Sequence, residues 1–112
     1  MSFRILLTLA ALGLSSTASA GGDVTRGQEI SKTCQACHGA DGNGVGDPQY
    51  PIIAGQYADY LEVALKAYRA KTRANVIMQG FATTLSDQDI EDVSAYFGSQ
   101  SSKLTDLSHS SH

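Results

Sequence analysis

The 112-residue sequence has no tryptophan, three phenylalanines and two prolines. It also lacks an apolar run long enough for a membrane-spanning helix, which needs about 20 residues, because the main apolar stretch covers only residues 5–14. An excess of basic residues is absent too: the formal net charge is −3 at pH 7, which argues against nucleic acid as a partner. With so few large side chains, a chain of this size has little material for a core of its own.

The amino terminus has the pattern of a secretory signal. Arg4 precedes the apolar stretch at 5–14, and Ala18-Ser19-Ala20 is a small-residue cleavage site. The sequence therefore predicts a signal peptide over 1–20, cleaved after Ala20, and export to a bacterial periplasm without stable membrane insertion. An uncleaved anchor is the alternative. The mature chain is then one small domain.

The two cysteines lie in the run Cys34-Gln35-Ala36-Cys37-His38. A Cys-x-x-Cys-His pattern is typical of covalent attachment of a c-type haem. Each thiol adds across one haem vinyl group, so the two sulfurs must lie about one helical turn apart. The next residue then brings an imidazole to the iron, for which it is a suitable ligand.

Other interpretations of these residues need different surroundings. A thioredoxin-like redox pair expects a neighbouring strand–helix–strand pattern, and no strand-like apolar run precedes Cys34. A structural zinc site needs four nitrogen or sulfur ligands, and only His109 and His112 remain to complete it. A plain disulfide is compatible with an oxidising compartment. The adjacent His38 favours haem.

Met78 is the only methionine after the predicted signal. A lone methionine usually fills a gap in a core, but this one is expected in a polar loop that contains Gly80, within the segment 72–85, which has no regular apolar period. A thioether is a soft, neutral ligand that pairs with histidine at haem iron. We therefore expect the Met78 sulfur to take the sixth iron position.

The remaining pattern predicts an all-α chain. Helices are expected over 23–33, capped by Asp23, over 56–70, and from Ser86 to Phe97. A glycine within the first helix, Gly27, predicts that the last helix crosses closely there.

The segments between and after these helices have turn chemistry. Residues 39–51 are rich in glycine and predict a loop. Residues 100–112 are rich in serine and aperiodic, which predicts a disordered tail. The basic residues Lys66, Arg69 and Arg73 are most simply a solvated helix face, with partner docking or haem propionates as the alternative.

The segments CQACHGADGNG, YPIIAGQYADYL, MQGFATTL and LSDQDIEDVSAYF resemble those of class I c-type cytochromes, in particular one domain of the di-haem periplasmic kind. The resemblance implies the cytochrome c fold over 21–99, with three to four helices wrapped around one covalently bound haem c. It implies thioethers at Cys34 and Cys37, and iron held by His38 and Met78. It further implies that the Pro51 carbonyl accepts a hydrogen bond from the ring of His38.

The expected function is periplasmic electron transfer by a mono-haem protein that is not an enzyme. Redox proteins such as respiratory complexes, reductases or oxidases are the expected partners, and a monomer or weak dimer the expected state. The alternatives are an electron-accepting haem subunit of a periplasmic dehydrogenase, or a ligand-binding or peroxide-reducing haem protein with an open sixth site.

Overall fold

The structure is a computed structural model that describes residue 13 and residues 21–104. Apart from Gly13, the predicted signal peptide lies outside the described residues, as do residues 105–112 of the predicted tail. Residues 21–104 contain helices and no strand, which confirms the all-α prediction. No helix in this part of the chain combines the length and apolar character needed to cross a membrane. The helices are α1 (Val24–Ile30), α2 (Gln35–His38), α3 (Ala58–Arg69), α4 (Val76–Ala82) and α5 (Asp87–Gly98).

The first helix begins and ends through side-chain hydrogen bonds. The Asp23 carboxylate accepts the backbone N–H groups of Thr25 and Arg26 at 2.9 and 3.1 Å, as an N-cap should. The helix is shorter than the predicted 23–33, because a 3₁₀ turn over Ser31–Thr33 follows Ile30. The Ser31 hydroxyl donates to the carbonyl of Gln28 within this tightened turn. The turn delivers the chain to the cysteine motif.

Helices α1 and α5 cross at Gly27, as the sequence predicted. A Cβ atom at this position would lie 1.9 Å from the carbonyl oxygen of Asp92 and 2.9 Å from the Cβ of Tyr96. The closest neighbour is therefore helix backbone, and the Tyr96 side chain comes second. Only glycine permits so close an approach.

An ion pair between the half-exposed Arg26 and the buried Asp92 fastens the same crossing. Asp92 on α5 is fully buried and accepts hydrogen bonds from the Asp23 N–H at 2.8 Å, from Arg26 Nη1 at 2.6 Å and from Gln88 Nε2 at 2.8 Å. Arg26 also reaches Asp89 at 2.6 Å. Burial raises the pKa of Asp92, but the hydrogen bonds outweigh burial and hold its pKa below the ordinary value.

The hydrophobic core joins α3 to α5. Leu61 on α3 packs with Val93, Tyr96 and Phe97 on α5, and the partly buried Cys34 lies against this cluster. The rings of Tyr96 and Phe97 meet edge to face with centroids 5.1 Å apart. Full burial of such a side chain contributes roughly 1.5–3 kcal/mol. The core therefore lies directly behind the cysteine motif.

The segment predicted to have no regular structure, 72–85, contains α4, so the prediction of a loop at Met78 is wrong. Asn75 caps this helix: its side-chain oxygen accepts the Met78 N–H at 3.0 Å. Helix α4 packs on α3. It was missed because its seven residues, VIMQGFA, are too short and too mixed to show a period.

The glycine-rich loop and the carboxyl-terminal segment hold each other. Gly42 has a φ of +83°, and its carbonyl accepts the N–H groups of Ile53 and Ala54. Next to it, the buried Asn43 donates to the carbonyl of Ser101 at 2.9 Å and accepts the N–H of Lys103 at 2.6 Å. The described start of the predicted tail thus lies against the loop.

Candidate haem site

A cavity of about 350 Å³ lies between α2, the loop that follows it and helices α3, α4 and α5. Ligand pockets commonly have about 300–1,000 Å³. Its wall includes every side chain that the sequence assigned to the haem: Cys34, Cys37, His38 and Met78. Pro51, expected to support the histidine, lines it too. The fold therefore brings residues from distant parts of the chain to one place.

Helix α2 sets the spacing of the two cysteines. Cys34 stands at its N-cap, and its carbonyl accepts the N–H groups of Cys37 at 3.3 Å and His38 at 3.0 Å. Both cysteines are free thiols, partly buried, and line the same cavity. Burial raises the pKa of Cys34, so this group is a neutral thiol at pH 7.

His38 is held from two sides. Its ring Nδ1 lies 2.9 Å from the carbonyl oxygen of Pro51, and its own carbonyl accepts the Gly44 N–H at 2.6 Å. The ring contact is the one that the resemblance implied. Since a carbonyl can only accept, Nδ1 carries the proton and Nε2 keeps a free lone pair. That tautomer is the one suited to binding a metal through Nε2.

Met78 reaches the cavity from α4. Its side chain is partly buried, while its neighbours Ile77 and Phe81 line the cavity and are 47% and 43% exposed. The Asn75 cap fixes the backbone N–H of Met78 itself. The exposed apolar side chains on either side of Met78 form a rim, which leaves one edge of the cavity accessible from outside.

The predicted basic face divides in the structure. Arg69 pairs with Asp87 and donates to the Leu85 carbonyl, and so ties α3 to the start of α5. Arg73 instead lies over the ring of Tyr68, 4.9 Å from its centroid, and lines the cavity. None of the other described residues that line the cavity is a lysine, arginine, aspartate or glutamate, so Arg73 stands alone there in this respect.

Sequence reasoning missed two residues of this site. Asn75 could have been found as a capping residue before VIM, since Asn is a preferred N-cap. Ser94 lines the cavity from α5 and is 1% exposed. Its position four residues after the buried Ile90 and three before the buried Phe97 places it on the inner helix face.

The donor set fits a haem. Two thiols one helical turn apart, an imidazole with a fixed tautomer and a thioether open into one largely apolar cavity. Nowhere in the described part of the chain do three His, Cys, Asp or Glu side chains cluster as a metal site. The other candidates for a zinc site, His109 and His112, lie outside the described residues. Fold and cavity together define a small helical haem-binding protein.

Residues 24–101 match the cytochrome c family, and the chain belongs to that family. Its cofactor is haem c, a covalently bound iron porphyrin. Cytochrome c-554(548) of Halomonas halodenitrificans is 46% identical over 82 residues, which cover 70% of this chain and 98% of that protein.

Longer relatives match over about half of their length. Cytochrome c4 of Pseudomonas aeruginosa is 42% identical over 100 residues, which cover 89% of this chain and 49% of that protein. The crystal structure of reduced recombinant cytochrome c4 from Pseudomonas stutzeri aligns with a TM-score of 0.69 and 39% identity. That alignment covers 74% of this chain and 48% of the other. The fold is therefore the cytochrome c fold, as predicted.

Proposed function

We propose that this protein transfers single electrons between redox partners through one covalently bound haem c, and that it is a carrier rather than an enzyme. The observation that carries the proposal is the convergence of the Cys34-Cys37-His38 motif and Met78 on one cavity. Met78 lies at least 40 positions after the motif in the sequence, so their meeting is a property of the fold. A Met/His ligand pair is the one that raises the potential of haem iron.

Each residue of the site has a separate role in this proposal. Cys34 and Cys37 form the thioethers, His38 Nε2 and the Met78 sulfur bind the metal, and Pro51 holds the imidazole through Nδ1. When bound, the haem supplies one-electron chemistry between its ferrous and ferric states. The protein contributes two ligands and a largely apolar wall, so no substrate position is needed at the metal.

The accessible rim supports electron transfer at one edge of the molecule. Ile77 and Phe81 offer exposed apolar surface there, beside the proposed ligand Met78. We expect redox proteins such as respiratory complexes, reductases or oxidases to approach this edge. The pattern of residues 1–20 supports export, so we expect electron transfer to take place in the periplasm, with the protein acting there as a monomer or weak dimer.

The substitution Met78→Ala tests the proposal. We expect it to lower the midpoint potential by a sizeable part of the range of about 0.8 V that axial ligands span, and to let carbon monoxide bind the reduced protein. Potentiometry and reduced-minus-oxidised spectra measure both effects. Val76→Ala is the matched control, because Val76 lies on the same helix, is 86% exposed and does not line the cavity.

Two results would contradict the proposal. A Met78→Ala protein with the wild-type optical spectrum would show that the sulfur is no ligand. Carbon monoxide binding to the unaltered reduced protein would indicate an open sixth site and favour a ligand-binding or peroxide-reducing haem protein.

A further inference from the structure

Buried polar side chains are few in the described residues, and all but one have a hydrogen-bond partner. Ser31, His38, Asn43 and Asp92 are buried and bonded to other parts of the chain. Ser94 is buried to the same degree, at 1% exposure, yet its hydroxyl has no partner among the described residues. An unpaired buried hydroxyl costs about 1–3 kcal/mol in lost hydration, so it calls for an explanation.

Ser94 borders the haem cavity. It lines the wall together with Val93 and Phe97 from α5 and with Leu61 and Leu65 from α3. Apart from His38, no other buried polar side chain of the described residues lines this cavity. The hydroxyl oxygen itself has almost no surface open to the cavity, so it is a buried polar group enclosed by protein next to an apolar part of the wall.

We infer that Ser94 tunes the redox potential: its hydroxyl acts as a free dipole toward the haem and stabilises the oxidised state. The inference rests on the proposed electron-transfer function. A ferric haem carries one more positive charge than a ferrous haem. A hydroxyl rotates to suit its surroundings, and with no fixed partner it can turn its oxygen toward that charge. Polarity in the wall around a redox metal lowers the potential, and an apolar wall raises it.

The alternative for Ser94 is purely local. A serine inside a helix can rotate its hydroxyl onto the carbonyl four residues earlier, here that of Ile90. In that state the side chain is satisfied by α5 and has no free dipole. The two explanations differ in what removal of the hydroxyl does to the potential.

The test is the midpoint potential of Ser94→Ala in the haem-loaded protein. We expect the ratio of reduced to oxidised protein at a fixed potential to rise about threefold, a shift of roughly 30 mV at 59 mV per tenfold for one electron. The optical spectrum should stay that of the wild type, because both metal ligands remain. The denaturant midpoint should stay equal or rise, since an unpaired buried hydroxyl is removed.

Ser31→Ala is the matched control. Ser31 is equally buried, but its hydroxyl donates to the Gln28 carbonyl at 2.6 Å and it does not line the cavity. We expect this variant to lower the denaturant midpoint and leave the potential unchanged. A conservative variant, Ser94→Thr, retains the hydroxyl and should return the potential to the wild-type value.

An unchanged potential in Ser94→Ala, or equal shifts in Ser94→Ala and Ser31→Ala, overturns the inference. Either result leaves the proposed function standing, because the protein would still be a haem protein with both axial ligands. Failure of the proposed function has a different signature, namely a wild-type protein without a haem spectrum or with an open sixth site.

Discussion

At the scale of single residues, Asp92 shows how this small protein tolerates a buried charge. Its carboxylate is out of contact with water, and three donors from α1, α5 and the chain before α1 satisfy it. Its ion pair with the half-exposed Arg26 is weak evidence for net stability, but removing a partner of a buried carboxylate is costly because it leaves that charge uncompensated. We therefore interpret the role of Asp92 as positional: its hydrogen bonds determine which turn of α5 packs against α1.

We expect Asp92→Asn to lower the free energy of unfolding by about 2 kcal/mol, since its amide would face the Arg26 guanidinium donor to donor. Denaturant unfolding followed by circular dichroism measures the change. Glu29→Gln is the control, because within residues 21–104 Glu29 pairs with Lys32 alone and both side chains are mostly exposed. Equal effects in the two variants would contradict a special role for the buried carboxylate.

His38 illustrates what sequence can give at this scale. Its motif predicted a haem ligand from spacing alone, and the resemblance predicted the partner of its second nitrogen, which the structure places at 2.9 Å. Ser94 could not be found in this way. An unpaired hydroxyl becomes visible only when every neighbouring donor and acceptor is known, and those neighbours come from several elements.

At the scale of elements, three of the five helices, α1, α3 and α5, could be predicted from the sequence, whereas α2 and α4 could not. The helices α1, α3 and α5 begin near the predicted residues because caps and apolar periods lie in local sequence. Helix α4 has a cap, Asn75, but its short apolar run carries no period. Its conformation depends on packing against α3, which local sequence does not record.

The crossing of α1 and α5 gives the sharpest prediction about an element. We expect Gly27→Ala to destabilise the protein by about 3 kcal/mol, because the new methyl group would overlap the carbonyl of Asp92 and push the helices apart. Thermal unfolding of the haem-loaded protein measures the loss.

Gly80→Ala is the matched control for that crossing. Gly80 is also helical, and a Cβ there meets nothing within 4 Å. This variant should be as stable as the wild type or gain up to about 1 kcal/mol from helix propensity. A Gly27→Ala protein as stable as Gly80→Ala would show that the helices cross at a greater distance.

At the scale of the whole molecule, charge pairing sets the response to acid. Hydrogen bonds hold the pKa of Asp92 below its ordinary value against the effect of burial, and backbone and Arg26 hydrogen bonds do the same for Asp89. Arg69 lowers the pKa of Asp87, and Asn43 lowers that of Asp41. These groups bind protons more weakly in the folded state than in the unfolded state.

The sign of the resulting pH dependence follows from linkage. A carboxylate with a lowered folded pKa contributes stability that is complete above its unfolded pKa of about 4 and is lost as the pH falls through the folded pKa. We expect the free energy of unfolding to fall from about pH 4 downwards, with a smaller slope in Asp92→Asn. Urea unfolding at several pH values, followed by helix circular dichroism, measures it. A flat profile would contradict the pairing.

The cavity is a property of the whole molecule. The sequence predicted the residues that would hold the haem better than it predicted the shape of the cavity. The cysteine motif and Met78 were identified as haem residues, while the wall that joins them depends on how α3, α4 and α5 pack. The contact between Arg73 and the ring of Tyr68 at the cavity could not be predicted from the basic residues Lys66, Arg69 and Arg73 in the sequence.

The Asn43 amide binds the backbone of Ser101 and Lys103, and so fixes the end of the described chain against the loop that follows the haem-attachment motif. Because Lys103 has an exposed side chain on this anchored backbone, a fluorophore coupled to it would sit at a defined spacing from a strong light absorber. Its emission would be quenched while the loop stays closed and would recover when the loop opens. The hydrogen bonds of Asn43 would thus allow fluorescence from a label on Lys103 to report local unfolding of this loop.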